Sequence, residues 1–185
     1  RKIIFNINLG GDINRTDQKT NRWKNMIRVA LGQSKMTRRP IAGILHILIY
    51  VGFVIINIEI IEIIVDGIFG THRFLATIIP LSIYNFFIAT FEVLAFLVLF
   101  ACVVFWTRRN VVKIKRFWSK EMTKWPRSDA NLILIFEVFL MTAFLTMNAA
   151  DCLLQSSESK YINAGSFPIS NFIVPILSNY DVSTL

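Results

Sequence analysis

The chain has 185 residues, 54% of them hydrophobic and only 17% charged, with a mean hydropathy of +0.53 and a formal net charge of +8. A soluble domain carries about a quarter charged residues, so this composition excludes an ordinary soluble enzyme. Cys102 and Cys152 form no CxxC pair, which excludes an iron–sulfur cluster or structural zinc site built by this chain alone.

Residues 1–39 are polar and basic, with Trp23 as an aromatic anchor. They read as an irregular or partly helical cytoplasmic segment, with Asp12 a candidate turn cap and moderate helical potential from Asp17 to Gly32. Pro40 opens the first expected transmembrane helix, 40–66, since proline in a first turn gives up only an N–H that lacks a partner anyway. Its apolar run from Ile41 to about Val65 gives ~37 Å at ~1.5 Å per residue, enough to cross a ~30 Å hydrocarbon core with some tilt. Asp66-Gly67 and Gly70 are expected to end it, and an outer loop, 67–82, follows. The second span, 83–106, ends at Trp106 just before Arg108 and Arg109. A basic loop, 107–129, interleaves Phe117, Trp118 and Trp125 with cations and reads as a membrane-surface segment. Pro126 is expected to stop any helix there. The third span, 130–150, delivers Asp151 and an outer tail, 151–185. Within the tail, the apolar stretch Phe167 to Leu177 is too short to span and is broken by Pro168 and Pro175. It is expected on the outer surface or against the bundle ends.

The fold class expected is therefore all-α, a polytopic transmembrane helix bundle with three spans in this fragment. The fragment reading comes from Arg1, which stands in a polar basic stretch where a start at Met would be expected. Of the twenty Lys and Arg residues, ten fall in 1–39 and eight in 107–129, leaving only Arg73 and Lys160. Basic loops stay on the cytoplasmic side, so the N-terminus is expected in and the C-terminus out. Anionic headgroups, not nucleic acid, are the expected partners of that charge.

His46 stands about 7 Å inside the first span, five residues at ~1.5 Å. An ionisable residue at that depth is a functional candidate, and neutral imidazole is a standard axial ligand of haem iron. A histidine hydrogen-bonded to a neighbouring helix is the plainer alternative. His72, in Thr71-His72-Arg73, reads as a loop residue or, if it acts, as part of an outer quinone site. Glu59 and Glu62 lie three apart and share a helix face, with Asp66 one turn on and His46 near the opposite face. Such carboxylates carry protons or meet quinone oxygens, or else pair with polar groups on adjacent helices. Glu92 and Glu137 are also intramembrane, and Asn57 and Asn148 are candidate hydrogen-bond partners. Cys102 is read as a packing residue, on the other side of the membrane from Cys152.

Three runs carry a resemblance: Arg22-Trp23-Lys24-Asn25-Met26, Ala30-Leu31-Gly32-Gln33-Ser34-Lys35-Met36 and Arg39-Pro40-Ile41-Ala42-Gly43-Ile44-Leu45-His46. With Gly70-Thr71-His72-Arg73 and Met147-Asn148-Ala149-Ala150-Asp151, they resemble the membrane domain of heterodisulfide-reductase-related iron–sulfur oxidoreductases. That domain is similar to the gamma subunit of respiratory nitrate reductase, the haem b membrane anchor. The resemblance implies a five-helix bundle of the bacterial inner membrane that binds haem b and exchanges electrons with the quinone pool. It implies His46 as a ligand to haem iron, partner histidines beyond Leu185, and 4Fe-4S clusters in a cytoplasmic iron–sulfur domain or subunit absent from this chain. The intact protein would then be a respiratory-type oxidoreductase. A cofactor-free membrane anchor or assembly subunit is the alternative, and a transporter component with Glu59 and Glu62 on an ion path is a weaker third.

Overall fold

A computed structural model describes residues 2–10, 17–34, 36, 39–120, 125–157 and 160–178. Asp12 and the part of the basic loop at 121–124 lie outside the described residues, as does the end of the tail from 179. The chain divides into two compact units, Arg1–Gly43 and Ile44–Leu185.

In the first unit, α1 is Lys2–Asn8 and α2 is Lys19–Met26, which runs on into a π turn, Ile27–Leu31. The turn closes on Gly32, whose N–H donates to the Ile27 carbonyl at 2.9 Å. A Cβ at Gly32 would sit 2.8 Å from the Arg28 carbonyl oxygen, so the backbone approach there requires glycine.

The second unit takes up α3 (Pro40–Phe69) from Ile44 onward, followed by α4 (Phe74–Ile78), α5 (Leu81–Asn110), a 3-10 turn at Lys115–Trp118 and α6 (Trp125–Ser157). A 3-10 turn, Ser170–Phe172, and α7 (Val174–Leu177) complete it. Helices α3, α5 and α6, of 30, 30 and 33 residues, are long and apolar enough to cross a membrane. At ~1.5 Å per residue they exceed a ~30 Å core, so their ends reach the headgroup layers. Their outward faces carry exposed Ile44, Val54, Ile61, Phe86, Phe100, Phe136 and Phe139, a surface that water would penalise and lipid accepts. The chain is a polytopic membrane protein.

All three helices overrun their expected ends. Helix α3 continues through Gly67, because one glycine costs a helix only about 1 kcal/mol, and it ends at Gly70, which has φ 64°. Pro126 does not stop a helix. It occupies the first turn of α6, where its missing N–H costs nothing, so α6 starts at Trp125 instead of 130 and runs to Ser157 instead of 150. Helix α5 adds two residues before 83 and four after 106.

The core gathers around α5, whose Tyr84, Ile88, Phe91, Ala95, Val98 and Cys102 meet Ile56 of α3 and Met141, Phe144 and Leu145 of α6. Without a hydrophobic drive between helices in lipid, small residues permit close approach. Gly52 does so for α3, since a Cβ there would collide with Cγ2 of Val98. The tail does not lie free on the surface. Glu92, fully buried in α5, accepts hydrogen bonds from the Ile169 N–H (3.0 Å), the Ser170 N–H (3.2 Å) and the Ser170 hydroxyl. Asn85 likewise accepts from the Gly165 N–H at 2.8 Å, where φ is 104°. The two side chains draw 164–170 into the end of the bundle, burying Ala164, Phe167 and Ser170.

Candidate functional site

The turn between α3 and α4 builds the site. Asp66, in the last turn of α3, accepts from the Thr71 hydroxyl (2.5 Å), the Arg73 N–H (2.8 Å) and the Phe74 N–H (3.1 Å). These bonds hold Arg73 in the left-handed region, φ 55° and ψ 55°, a conformation that costs a non-glycine residue energy and persists only when its surroundings enforce it. The result aims the guanidinium back into the bundle, leaving Arg73 only 6% exposed.

There it meets all three spans. Its Nη1 donates to Glu59 of α3 at 3.0 Å and to the Tyr84 hydroxyl of α5 at 3.3 Å. Its Nη2 donates to Asn148 (3.2 Å) and Asp151 (2.7 Å) of α6, and its Nε to the same Asp151 oxygen at 3.0 Å. The Phe167 ring of the tail lies 5.4 Å from the guanidinium carbon, a cation–π contact. Burial alone would lower the Arg73 pKa, but Tyr84, Asp151 and Glu59 together outweigh it and hold it above the usual arginine range. The Tyr84 hydroxyl in turn donates to Glu62, whose Oε1 also accepts the Leu75 N–H at 2.9 Å.

His72 completes the arrangement. Its Nδ1 accepts the Ile162 N–H at 3.1 Å, so the proton of a neutral ring must sit on Nε2, which donates to Asp151 at 2.7 Å. Tyr161 packs edge-on against the ring at 5.0 Å. Both nitrogens are thus engaged. Gln155 adds a fourth bond to Asp151 at 2.9 Å. Beside this network lies a pocket of about 250 Å³ lined by Glu62, Asp66, His72, Arg73 and Asp151, with Ile63, Met147 and Tyr161 among its other walls.

Of the sequence candidates, Glu59, Glu62, Asp66, His72 and Asn148 therefore come together. His46 does not. It is half-buried in α3, sixteen residues before Glu62, and makes no hydrogen bond or ion pair among the described residues. Among the described residues Asn57 bonds its own helix, at the Phe53 carbonyl, 2.6 Å away. Glu92 belongs to the tail anchor, and Glu137 is half-buried in α6. Cys102 and Cys152 are both free thiols, Cys102 packed in the core as expected. Sequence reasoning missed Arg73, Tyr84 and Asp151. The signal for Arg73 was present, since it is the only Lys or Arg between Arg39 and Arg108 and sits among intramembrane acids that need a cation.

Two carboxyl groups, Glu59 and Asp151, bond the Arg73 guanidinium, while Asp66 holds its backbone N–H and Glu62 joins through the Tyr84 hydroxyl. Such an arrangement can hold protons and can bind a polar head at the membrane boundary. Among the described residues no group of three His, Cys, Asp or Glu side chains is placed to hold a metal ion. No protein-family model, curated protein or solved structure matches the chain.

Proposed function

We propose that the chain is the membrane electron-transfer module of a respiratory-type oxidoreductase. It would pass electrons between the quinone pool and cytoplasmic iron–sulfur centres through haem b, in the bacterial inner membrane, with residues 1–39 on the cytoplasmic side. The observation that carries this reading is His46, whose ring is half-buried in the first span with no hydrogen-bond partner among the described residues. It is an unengaged imidazole at intramembrane depth, at the end of the run that resembles the oxidoreductase family. Ten and eight basic residues against one and one support the orientation.

His46 supplies one imidazole, and His72 cannot supply the second, because the Ile162 N–H and Asp151 engage both its nitrogens. A haem held by His46 would need a further ligand that the two histidines of the sequence do not supply. A haem held there supplies one-electron exchange, while the chain supplies burial and orientation.

The outer pocket is the proposed quinol site. Sixteen residues, ~24 Å of helix, separate it from His46. Oxidation of a quinol to a quinone would release two electrons, for which a bound haem would supply one-electron exchange, and two protons, one to a group at the site and one to the water outside it. Glu62 is the acceptor the geometry favours, since it lines the pocket and is a carboxylate already oriented by Tyr84 and Leu75. Glu59 lies behind Arg73 and balances its charge. His72, also in the pocket wall, orients Asp151.

A cofactor-free membrane anchor is the second reading, favoured by the engagement of His72 in bonds that tie loop to helix. Haem in the purified full-length protein separates the two, and Glu62→Gln then tests the quinol site. Under the electron-transfer reading it slows quinol-dependent haem reduction by about 10²-fold or more, the usual contribution of a positioned acid–base group, with the haem spectrum intact. Unchanged kinetics would reduce Glu62 to packing.

A further inference from the structure

The far end of α5 and α6 carries a second pocket, of about 250 Å³, lined by Phe105, Arg109, Phe117, Ala130, Ile133 and Leu134. Its walls are apolar except for one guanidinium. Arg109 is 8% exposed. Its Nη2 donates at 3.4 Å to the carbonyls of Pro126 and Arg127, and its guanidinium lies 5.3 Å from the Phe117 ring centre. Its Nε is buried with no partner. All the ion pairs among the described residues lie in the Arg73 cluster, so no carboxylate among them neutralises Arg109. A buried cation with an unused donor is costly unless an anion meets it.

Further cations stand around it. The Arg127 guanidinium lies 3.5 Å over the Trp118 ring, and the Lys113 ammonium lies 5.3 Å from that ring. Trp118 is fixed by its Nε1, which donates to the Arg109 carbonyl at 3.2 Å. Neither Lys113 nor Arg127 forms an ion pair among the described residues. The pocket therefore sets one lining guanidinium, Arg109, against apolar walls, with the Lys113 and Arg127 cations on the neighbouring Trp118 ring, at the end of two spans, where headgroups lie.

We propose that this pocket binds one anionic phospholipid, its phosphate on Arg109 within the field of Lys113 and Arg127, its acyl chain against Phe105, Ile133 and Leu134. Basic pockets between transmembrane helices take anionic lipid heads by this chemistry. A free phosphate leaves the apolar walls unused, and a neutral quinone leaves the guanidinium unpaired.

The test uses the full-length protein in phosphatidylcholine nanodiscs containing a minor share of phosphatidylglycerol, with native mass spectrometry counting the lipid retained. Wild type retains one phosphatidylglycerol per chain, and Lys115→Gln, outside the pocket, does the same. Arg127→Gln weakens retention roughly fivefold, as for one charge near a membrane surface. Arg109→Gln abolishes it. Because Arg109 also braces the start of α6, Ala130→Phe provides the second arm. It fills the pocket, leaves every charge in place and also abolishes retention. Retention by the Ala130→Phe variant would overturn the proposal, as would displacement of the lipid by inorganic phosphate, which would mark a plain anion site.

Discussion

Arg73 and Asp151 meet through two N–H donors on a single carboxylate oxygen, Nε at 3.0 Å and Nη2 at 2.7 Å. One residue comes from a tight turn and the other from the third span, 78 positions later. The pair closes the bundle at one end, since Glu59 and Tyr84 share the same guanidinium. Removing one partner of a buried ion pair costs about 3–5 kcal/mol, because the other is left unpaired. Arg73→Gln is therefore expected to unfold at markedly lower temperature in detergent than the wild type. The sign of the pH dependence follows from the raised Arg73 pKa. Its stabilisation is complete below the unfolded arginine value and is lost only above the higher folded one. The melting difference between wild type and variant should then hold steady through the mildly alkaline range. A difference that vanishes in mild alkali would mean that Arg73 is not the source of the stability.

The Glu92 anchor is separable from that cluster. Glu92→Leu leaves the Ile169 and Ser170 N–H groups without their acceptor, each at a cost of about 1–3 kcal/mol if they stay buried. The tail is expected to detach while the three spans remain packed. Limited trypsin digestion should then cut after Lys160 several-fold faster than in wild type, with the helical circular dichroism nearly unchanged. Equal cleavage rates would show that the tail holds by apolar packing of Phe167 and Ala164 instead.

The three spans were legible in the sequence because hydropathy and length act locally, and the shared face of Glu59 and Glu62 followed from helix periodicity alone. Helix ends were less legible. Gly67 and Pro126 have the chemistry of breakers, yet position within a helix decides their effect, and that position is not a local property. The cation at the centre of the cluster was hidden for a different reason. Arg73 lies in an outer loop by sequence, and only the left-handed turn held by Asp66 sends it inward. Asp151 and Ser170 acquire their roles through contacts 78 residues away, which no periodicity encodes.

Orientation is open to direct labelling. Under the proposed orientation Ser128 would lie in the cytoplasm and Ser157, at the other end of α6, outside. Single-cysteine variants at these positions, in a background where Cys102 and Cys152 are replaced, are expected to differ in spheroplasts. Ser157→Cys should react with an impermeant maleimide and Ser128→Cys should not. Labelling at 128 instead would invert the topology and with it the side on which the Arg73 cluster lies.

Haem content in a His46 variant tests the electron-transfer reading most directly. In the full-length protein, in membranes where insertion is verified, His46→Ala is expected to lose one b-type haem per chain, measured by pyridine haemochrome against protein concentration. His72→Ala should keep it, because that ring is engaged by Asp151 and the Ile162 N–H at the other end of the bundle. Full haem content in the His46 variant, or no haem in the wild type, would contradict the assignment and leave the chain a cofactor-free anchor.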